Sequence, residues 1–328
     1  MTQLVTIFGG SGFIGRHVAQ RMAKKGWRVR VAVRRPNEAL FVKPYGAVGQ
    51  VEPVLANVRD DASVQAAIRG ADAVVSCVSV TVQHGKQTFS FVQHHGTARI
   101  GRIAAEEGVE RVVHVSAIGA DKDSPSDYAS TKALGEAALL EAVPSAVILR
   151  PSIIFGSGDG FFNQFGGLAR MTPAFLPIFG GNTKFQPVYV GDVAEAAEMA
   201  ITGAAAPGIY ELGGPEVRTF HQLMEQMLAV IQRRRIILNL PFWVGNAMGA
   251  GLNLAQTLTL GLFKNRLVTP DQIKLLRVDN VANPDLPGLG TLGIDPVAME
   301  GILPEYLWPY RPSGQYAEIK DSARNLKT

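Results

Sequence analysis

Along the first half of the chain, short apolar runs alternate with segments whose apolar positions recur every three or four residues. The runs "QLVTIF" (3–8), "RVRVAV" (28–33), "VEPVL" (51–55), "ADAVVSCV" (71–78), "RVVHVS" (111–116) and "AVILR" (146–150) have the length and valine content of strands. Between them, "FIGRHVAQRMAKKG" (13–26), "DDASVQAAIRG" (60–70), "FSFVQHHGTARIGRIAAEEG" (89–108) and the stretch from Tyr128 to Ala142 read as helices, three of them stopped by glycine. Strict alternation of this kind predicts an α/β fold with a doubly wound parallel sheet covered on both faces. The strands are apolar almost throughout, as strands buried on two sides must be. After Arg150 the rhythm loosens and proline and glycine multiply, as in "MTPAFLPIFGGN" (171–182). The expected organisation is a nucleotide-binding domain over 1–150 that borrows parts of 151–215, a smaller C-terminal α/β lobe over 151–303, and an extended tail over 304–328.

The first strand runs straight into "GGSGFIG". Gly9, Gly12 and Gly15, with Gly10 beside them and Phe13 and Ile14 between them, sit where a strand becomes a helix. Glycines at this spacing permit a tight turn, close approach of a pyrophosphate to the backbone, and close helix–strand packing. The helix start adds free N–H groups and a positive dipole end. Together these predict a Rossmann-type dinucleotide site. At the end of the second strand an NAD-type site carries an acidic residue, whereas this chain has Arg34 and Arg35. A guanidinium there pairs with a 2′-phosphate that a carboxylate would repel, so the expected cofactor is NADP(H), as NADPH. Because ligands bind at the carboxyl ends of parallel strands, Asn57 and Val58 are expected beside the adenine, and Cys77, Val78 and Ser79 along the cofactor.

Ser116 ends the fifth strand, and "YASTK" follows, with Tyr128 and Lys132 four apart on one helix face. An ammonium beside a phenol favours phenolate, so Lys132 is expected to lower the Tyr128 pKa and fit it for proton transfer. Ser116 would hydrogen-bond a substrate oxygen. The same two residues equally suit holding a nicotinamide ribose without turnover.

With "GGSGFIG", Arg34, Ser116, "YASTK", "LRPSIIFG" (149–156) and "PVYVGDVAEAA" (187–197), the chain resembles the atypical and extended short-chain dehydrogenase/reductases. In that family the Arg-Pro segment borders the nicotinamide, which here implies Pro151 and Ile153. More narrowly, "RPSIIFGSGDGFFNQF", "KFQPVYVGDVAEAA", "GIYELGGPE" and "RRRIILNLPFWV" resemble the nucleotide-binding accessory subunits of respiratory complex I, the alpha-subcomplex subunit nine family. That resemblance implies NADPH held in a peripheral subunit, remote from electron transfer, and a role in assembly or stability of the complex. It implies partners among complex I subunits near the junction of the peripheral and membrane arms, on the cytoplasmic face of a bacterial inner membrane. The alternative is an NADPH-dependent reductase or epimerase of a small carbonyl or nucleotide-sugar substrate. A sensor that binds NADP(H) reversibly is a third possibility.

Composition changes this picture little. The chain has 328 residues, 47% hydrophobic and 18% charged, with a net charge of +4 and no long basic tract, so nothing points to nucleic acid. Its single cysteine, Cys77, lies in an apolar run and reads as a core residue. The six histidines are scattered and no metal is expected. The N-terminus has no signal or transit pattern, which suits a bacterial cytosol-facing chain or one already processed. Two features of the second half suggest a surface contact. Residues 236–263 carry no charge and follow Arg233, Arg234 and Arg235. Proline, glycine and asparagine exclude a transmembrane helix there, leaving lipid-surface or partner contact through 233–263, or a buried core segment. In the tail, Tyr306, Trp308 and Tyr310 are candidate anchors on a partner, or on the chain's own lobe.

Overall fold

The computed structural model describes residues 2–258 and 269–316. The first half runs β1 (Leu4–Phe8), α1 (Phe13–Lys24), β2 (Arg28–Val33), β3 (Val51–Leu55), α2 (Asp61–Ile68), β4 (Ala73–Ser76), α3 (His95–Glu106), β5 (Arg111–Val115), α4 (Asp127–Ala142) and β6 (Val147–Pro151). A short β7 (Ile154–Phe155), α5 (Phe162–Met171), β8 (Phe175–Phe179), β9 (Lys184–Phe185) and β10 (Val188–Tyr189) lead into α6 (Val190–Thr202) and β11 (Gly208–Leu212). The chain ends with β12 (Arg218–Thr219), α7 (Phe220–Val230), β13 (Ile236–Leu240), α8 (Phe242–Leu258), α9 (Pro270–Leu275) and α10 (Met299–Leu307).

Seven strands form one parallel sheet in the order β11-β6-β5-β4-β1-β2-β3. The order reverses between β1 and β4, and the crevice at that switch point opens at the carboxyl ends of the strands. Alternate residues of each strand serve opposite faces. On one face Val5, Ile7, Val75 and Val113 pack with α1 and α6. On the other, Phe8, Val74, Val112 and Ile148 pack with α2, α3 and α4. The expected doubly wound sheet is therefore present, and β11 joins it from well beyond residue 150.

The long helix expected from Phe89 opens with a π-turn over Ser90–His94 before α3 begins. Such turns appear where a side chain must be re-aimed. Here the turn delivers Gln93, fully buried, against the segment that follows β4.

The smaller lobe has its own core of Phe155, Phe162, Leu176, Phe220, Met227 and Leu303. Its sheets have only two strands each, β8 pairing in parallel with β13. The uncharged run is therefore a strand and then a helix, and its last residues, 259–263, lie outside the described residues. The extended tail expected from 304 is corrected. Helix α10 continues to Leu307, because Leu303 and Leu307 are buried in the lobe core. Tyr306 donates its hydroxyl to Asp159, and Tyr310 hydrogen-bonds Asn163 at 3.0 Å, so two of the three aromatic candidates anchor on the chain's own lobe. Trp308 is 39% exposed, and residues 317–328 lie outside the described residues. Among the described residues no helix is long and apolar enough to cross a membrane.

The lobe grips the sheet domain through α9. Asp271 accepts the backbone N–H groups of Asp127 at 2.8 Å and Tyr128 at 3.2 Å, and the Ser126 hydroxyl at 2.9 Å. A carboxylate from the small lobe thus caps the helix that carries Tyr128. Asp271→Ala should lower stability by about 1–2 kcal/mol, as loss of an N-terminal cap does, read as a shift in the urea midpoint with unchanged slope.

Candidate functional site

The loop joining β1 to α1 is shaped by what its glycines leave out. Gly9 has φ of +74°, and an added Cβ would lie 3.1 Å from the Cys77 carbonyl oxygen. A Cβ on Gly15 would lie 2.4 Å from the Gly9 oxygen. The helix can therefore start hard against its own turn only with glycine at both places. Gly12 caps α1 without a side-chain hydrogen bond, and the first turn holds no acidic residue. The N–H groups of Phe13 and Ile14 are thus left at a positive helix end suited to phosphate. Arg16, one turn on, donates from Nη2 to the Ser157 carbonyl at 2.6 Å and ties this helix to the loop beyond β7.

Arg34 and Arg35 are exposed just past the end of β2, as expected. They differ in one respect. Arg35 pairs with Glu38 at 2.9 Å, whereas no carboxylate among the described residues pairs with Arg34. Asn57 and Val58 follow β3. Asn57 is held by the Ser63 hydroxyl, and Val58 packs on Gly96. Cys77, Val78 and Ser79 follow β4 across the crevice from Gly9. Burial pushes the Cys77 thiol up to about 12, so it stays protonated and apolar in character. Pro151 ends β6, and Ile153 lies between β6 and β7. The Ile118 N–H donates to the Pro151 carbonyl, which sets this segment beside the one that follows Ser116. The strand ends thus bring most of the expected residues to one rim.

Ser116 is 5% exposed, and its hydroxyl has no hydrogen-bond partner among the described residues. A buried, unpaired hydroxyl costs free energy unless something else satisfies it. With the glycine cradle and the uncapped helix, it makes the residues present fit a nicotinamide dinucleotide.

The Tyr–Lys pair departs from expectation. Tyr128 is pushed up, not down: burial dominates, opposed by a hydrogen bond with Ser79. The Lys132 ammonium is buried and donates instead to the Val115 carbonyl at 3.0 Å. Burial lowers Lys132 to about 8, with Glu136 pulling the other way. His114, on the neighbouring strand, is held neutral by burial and by the same ammonium. Gln93 fixes the front of the site by donating to the Ser79 hydroxyl at 3.1 Å and the Val80 carbonyl at 2.8 Å.

The unfolded chain keeps the Lys132 proton up to about 10.5, while the fold releases it near 8. Between the two the unfolded state binds more protons, so this group makes stability rise with pH. Its penalty is complete below pH 8 and is relieved towards 10.5. Nucleotide-free Lys132→Met should therefore be more stable than the parent below about pH 8, and the gap should shrink as pH climbs towards 10.5. Urea titrations at the two ends of that range check it.

Sequence reasoning missed one structural group. Arg150 lies in a buried fork with Glu136, its Nη2 at 2.6 Å, and reaches Glu211 at 3.5 Å. Glu136 is four residues beyond Lys132 and so on the same helix face, a signal available in the spacing. Glu211 comes from β11 and gave no local signal. Among the described residues no cluster of three or more His, Cys, Asp or Glu could hold a metal.

A family model described as NAD(P)H-binding matches residues 9–151. The chain is 33% identical over 317 residues to NADH dehydrogenase (ubiquinone) 1 alpha subcomplex subunit 9, mitochondrial, of Arabidopsis thaliana, covering 95% of this chain and 79% of that protein. It is 31% identical over 246 residues to the ceramide reductase of Caulobacter vibrioides, covering 73% of this chain and 74% of that protein. The crystal structure of the NADPH-dependent quinone oxidoreductase QOR2 from Escherichia coli superposes with a TM-score of 0.68 at 19% identity, over 92% of this chain and 98% of that one, and so shares the fold. With the crevice, the glycine cradle and the Tyr–Lys helix in place, these matches show that the chain belongs to the family of NADH dehydrogenase alpha subcomplex subunit 9 and that its first half is an NAD(P)H-binding domain.

Proposed function

We propose that this protein is an NADP(H)-binding accessory subunit of a bacterial respiratory complex I, without turnover of its own, which supports assembly or stability of the complex. It would sit peripherally on the cytoplasmic face of the inner membrane, near the junction of the peripheral and membrane arms. The supporting relationship is the match along 95% of the chain to a protein named as a subunit of NADH dehydrogenase. The observation that carries the non-catalytic reading is the Tyr–Lys pair. Its ammonium is committed to the Val115 carbonyl. Such a pair is arranged to hold a nicotinamide ribose. The cofactor would be NADPH, with Arg34 taking the 2′-phosphate and the amides of Phe13 and Ile14 the pyrophosphate. Nicotinamide chemistry, when the nucleotide is bound, is the transfer of hydride. In this reading the domain covers 1–150 with parts of 151–215, and the lobe continues to 303.

Purification from solubilised membranes, with the bound nucleotide identified in the same sample, tests this. Complex I subunits and NADPH should co-purify. A free soluble species carrying no such subunits would end the proposal.

The unpartnered Ser116 hydroxyl favours one second reading, because it stands ready for a carbonyl oxygen. The relative named ceramide reductase directs that reading to a carbonyl on a long apolar tail. NADPH oxidation with such a substrate, abolished in Tyr128→Phe, would establish it; cofactor retention without oxidation would not.

A further inference from the structure

One corner of the small lobe gathers arginines without carboxylates. Helix α5, helix α7 and the turn after α10 all end there. Arg235 donates from Nε to the Ala169 carbonyl at 3.1 Å, Arg311 to Val230 at 2.9 Å, and Arg233 to Tyr310 at 2.6 Å. Capping of this kind satisfies the last carbonyls of a helix and suits its negative end. It also fixes each guanidinium while leaving N–H groups free for another acceptor. Arg170 and Arg234 are exposed beside them and make no side-chain hydrogen bond among the described residues. Elsewhere the chain pairs many of its arginines, as in Arg21 with Glu198, Arg102 with Asp61, and Arg218 with Glu216. Here no such pair forms among the described residues. Burial and repulsion by Arg235 and Arg170 hold Arg233 below its ordinary pKa. Clustered cations left to repel one another mark a site that an anion would relieve.

The arginines border an apolar face. Phe175 lies opposite Ile236 and Pro177 opposite Leu238 in the β8–β13 pair. Phe175 is 48% exposed, Ile236 61% and Leu238 38%, with Met171 at 82% just before the strand. Trp243, 71% exposed, follows at the start of α8. Large apolar side chains grouped in the open mark a contact surface. A wholly polar acidic segment would satisfy the arginines but not the exposed aromatic and aliphatic side chains beside them. Headgroup phosphates above an acyl boundary satisfy both, with guanidinium forks on phosphate oxygens and apolar side chains below them.

We propose that this corner, Arg170, Arg233, Arg234 and Arg235 with the outer face of β8 and β13, is a docking surface for an anionic phospholipid bilayer. The site lies outside the nucleotide crevice, and it stands whether or not the chain joins complex I.

The test is flotation of the full chain with phosphatidylcholine vesicles and with vesicles in which about a quarter of the lipid is phosphatidylglycerol. The chain should partition onto the anionic vesicles at least about tenfold more strongly than onto the neutral ones, and less so as salt rises. Arg170→Gln with Arg234→Gln should lower that partition about fivefold per arginine. Neither side chain supports the fold, so the melting temperature should not move. Replacing Ile236 and Leu238 by serine should weaken binding even at low salt. Equal partition onto neutral vesicles overturns the proposal, as does undiminished binding of the double arginine variant. Capture by polyglutamate without vesicle binding assigns the face to an acidic protein and overturns it too.

Discussion

Arg34→Asp should weaken NADPH binding by about two to three orders of magnitude while leaving NADH binding unchanged or improved. The arginine contributes a charge-assisted, two-pronged contact to the 2′-phosphate, about 1.5–3 kcal/mol when lost. The aspartate adds repulsion of an anion at the same place and offers an acceptor to the ribose hydroxyls of NADH. Arg34 is exposed at the end of β2 and has no carboxylate partner among the described residues, so removing it leaves nothing buried unpaired. Its effect should therefore appear in cofactor affinity and not in the stability of the nucleotide-free protein. Calorimetric titration of stripped protein with both nucleotides separates the two. Unchanged NADPH affinity would remove Arg34 from the site. Arg35→Asp is the internal control. Arg35 already pairs with Glu38, so its replacement should have a smaller effect.

Glu136→Gln carries the largest expected stability effect. The Glu136 side chain is 4% exposed and that of Arg150 17%, and the two form a fork at 2.6 Å. Removing one partner of a buried pair leaves the other charge without compensation, at a cost of about 3–5 kcal/mol. Glu211 at 3.5 Å would retain part of the compensation, which places the expectation at the lower end, about 3 kcal/mol. The loss should show in the urea midpoint. Combining Glu136→Gln with Arg150→Met should recover most of it, because the stranded charge is gone. Failure of the double variant to recover would mean that the glutamate acts through packing or through Lys132, whose charge it supports. Arg150 precedes Pro151, so the single variant should also loosen the strand end beside the nicotinamide position.

Much of the sheet domain is legible in one dimension because its causes are local. Strand and helix periods differ, glycine stops helices, and alternation forces parallel pairing with helices on both faces. The strand ends then bring Gly9, Cys77, Ser116 and Pro151 to one rim by topology alone. The uncharged run 236–263 was harder, since apolarity without period fits a strand, a helix or a membrane contact alike. The aromatic tail showed little period either, yet its first residues, as far as Leu307, continue helix α10 because Leu303 and Leu307 find a core already built.

The largest difference lies in the Tyr–Lys pair. Spacing places Tyr128 and Lys132 on one face of a helix, and that much is a property of the sequence. It does not say where the ammonium points. Only the packing of α4 on the sheet directs it to the Val115 carbonyl, sets the half-buried tyrosine ring edge-on to Phe89 at 5.8 Å, and turns the expected fall of the phenol pKa into a rise. The same holds for Asp271, which comes from the far lobe to cap that helix, and for Arg150, whose partners come from α4 and β11. The sequence by itself determined the family, the sheet, the glycine cradle and the arginine expected to meet the phosphate, because each is written in neighbouring residues. Tertiary structure alone decided protonation, the buried ion pairs and the face the small lobe leaves open, because burial and charge depend on residues from separate elements that only the fold brings together, as Asp271 is brought to Asp127 and Glu211 to Arg150.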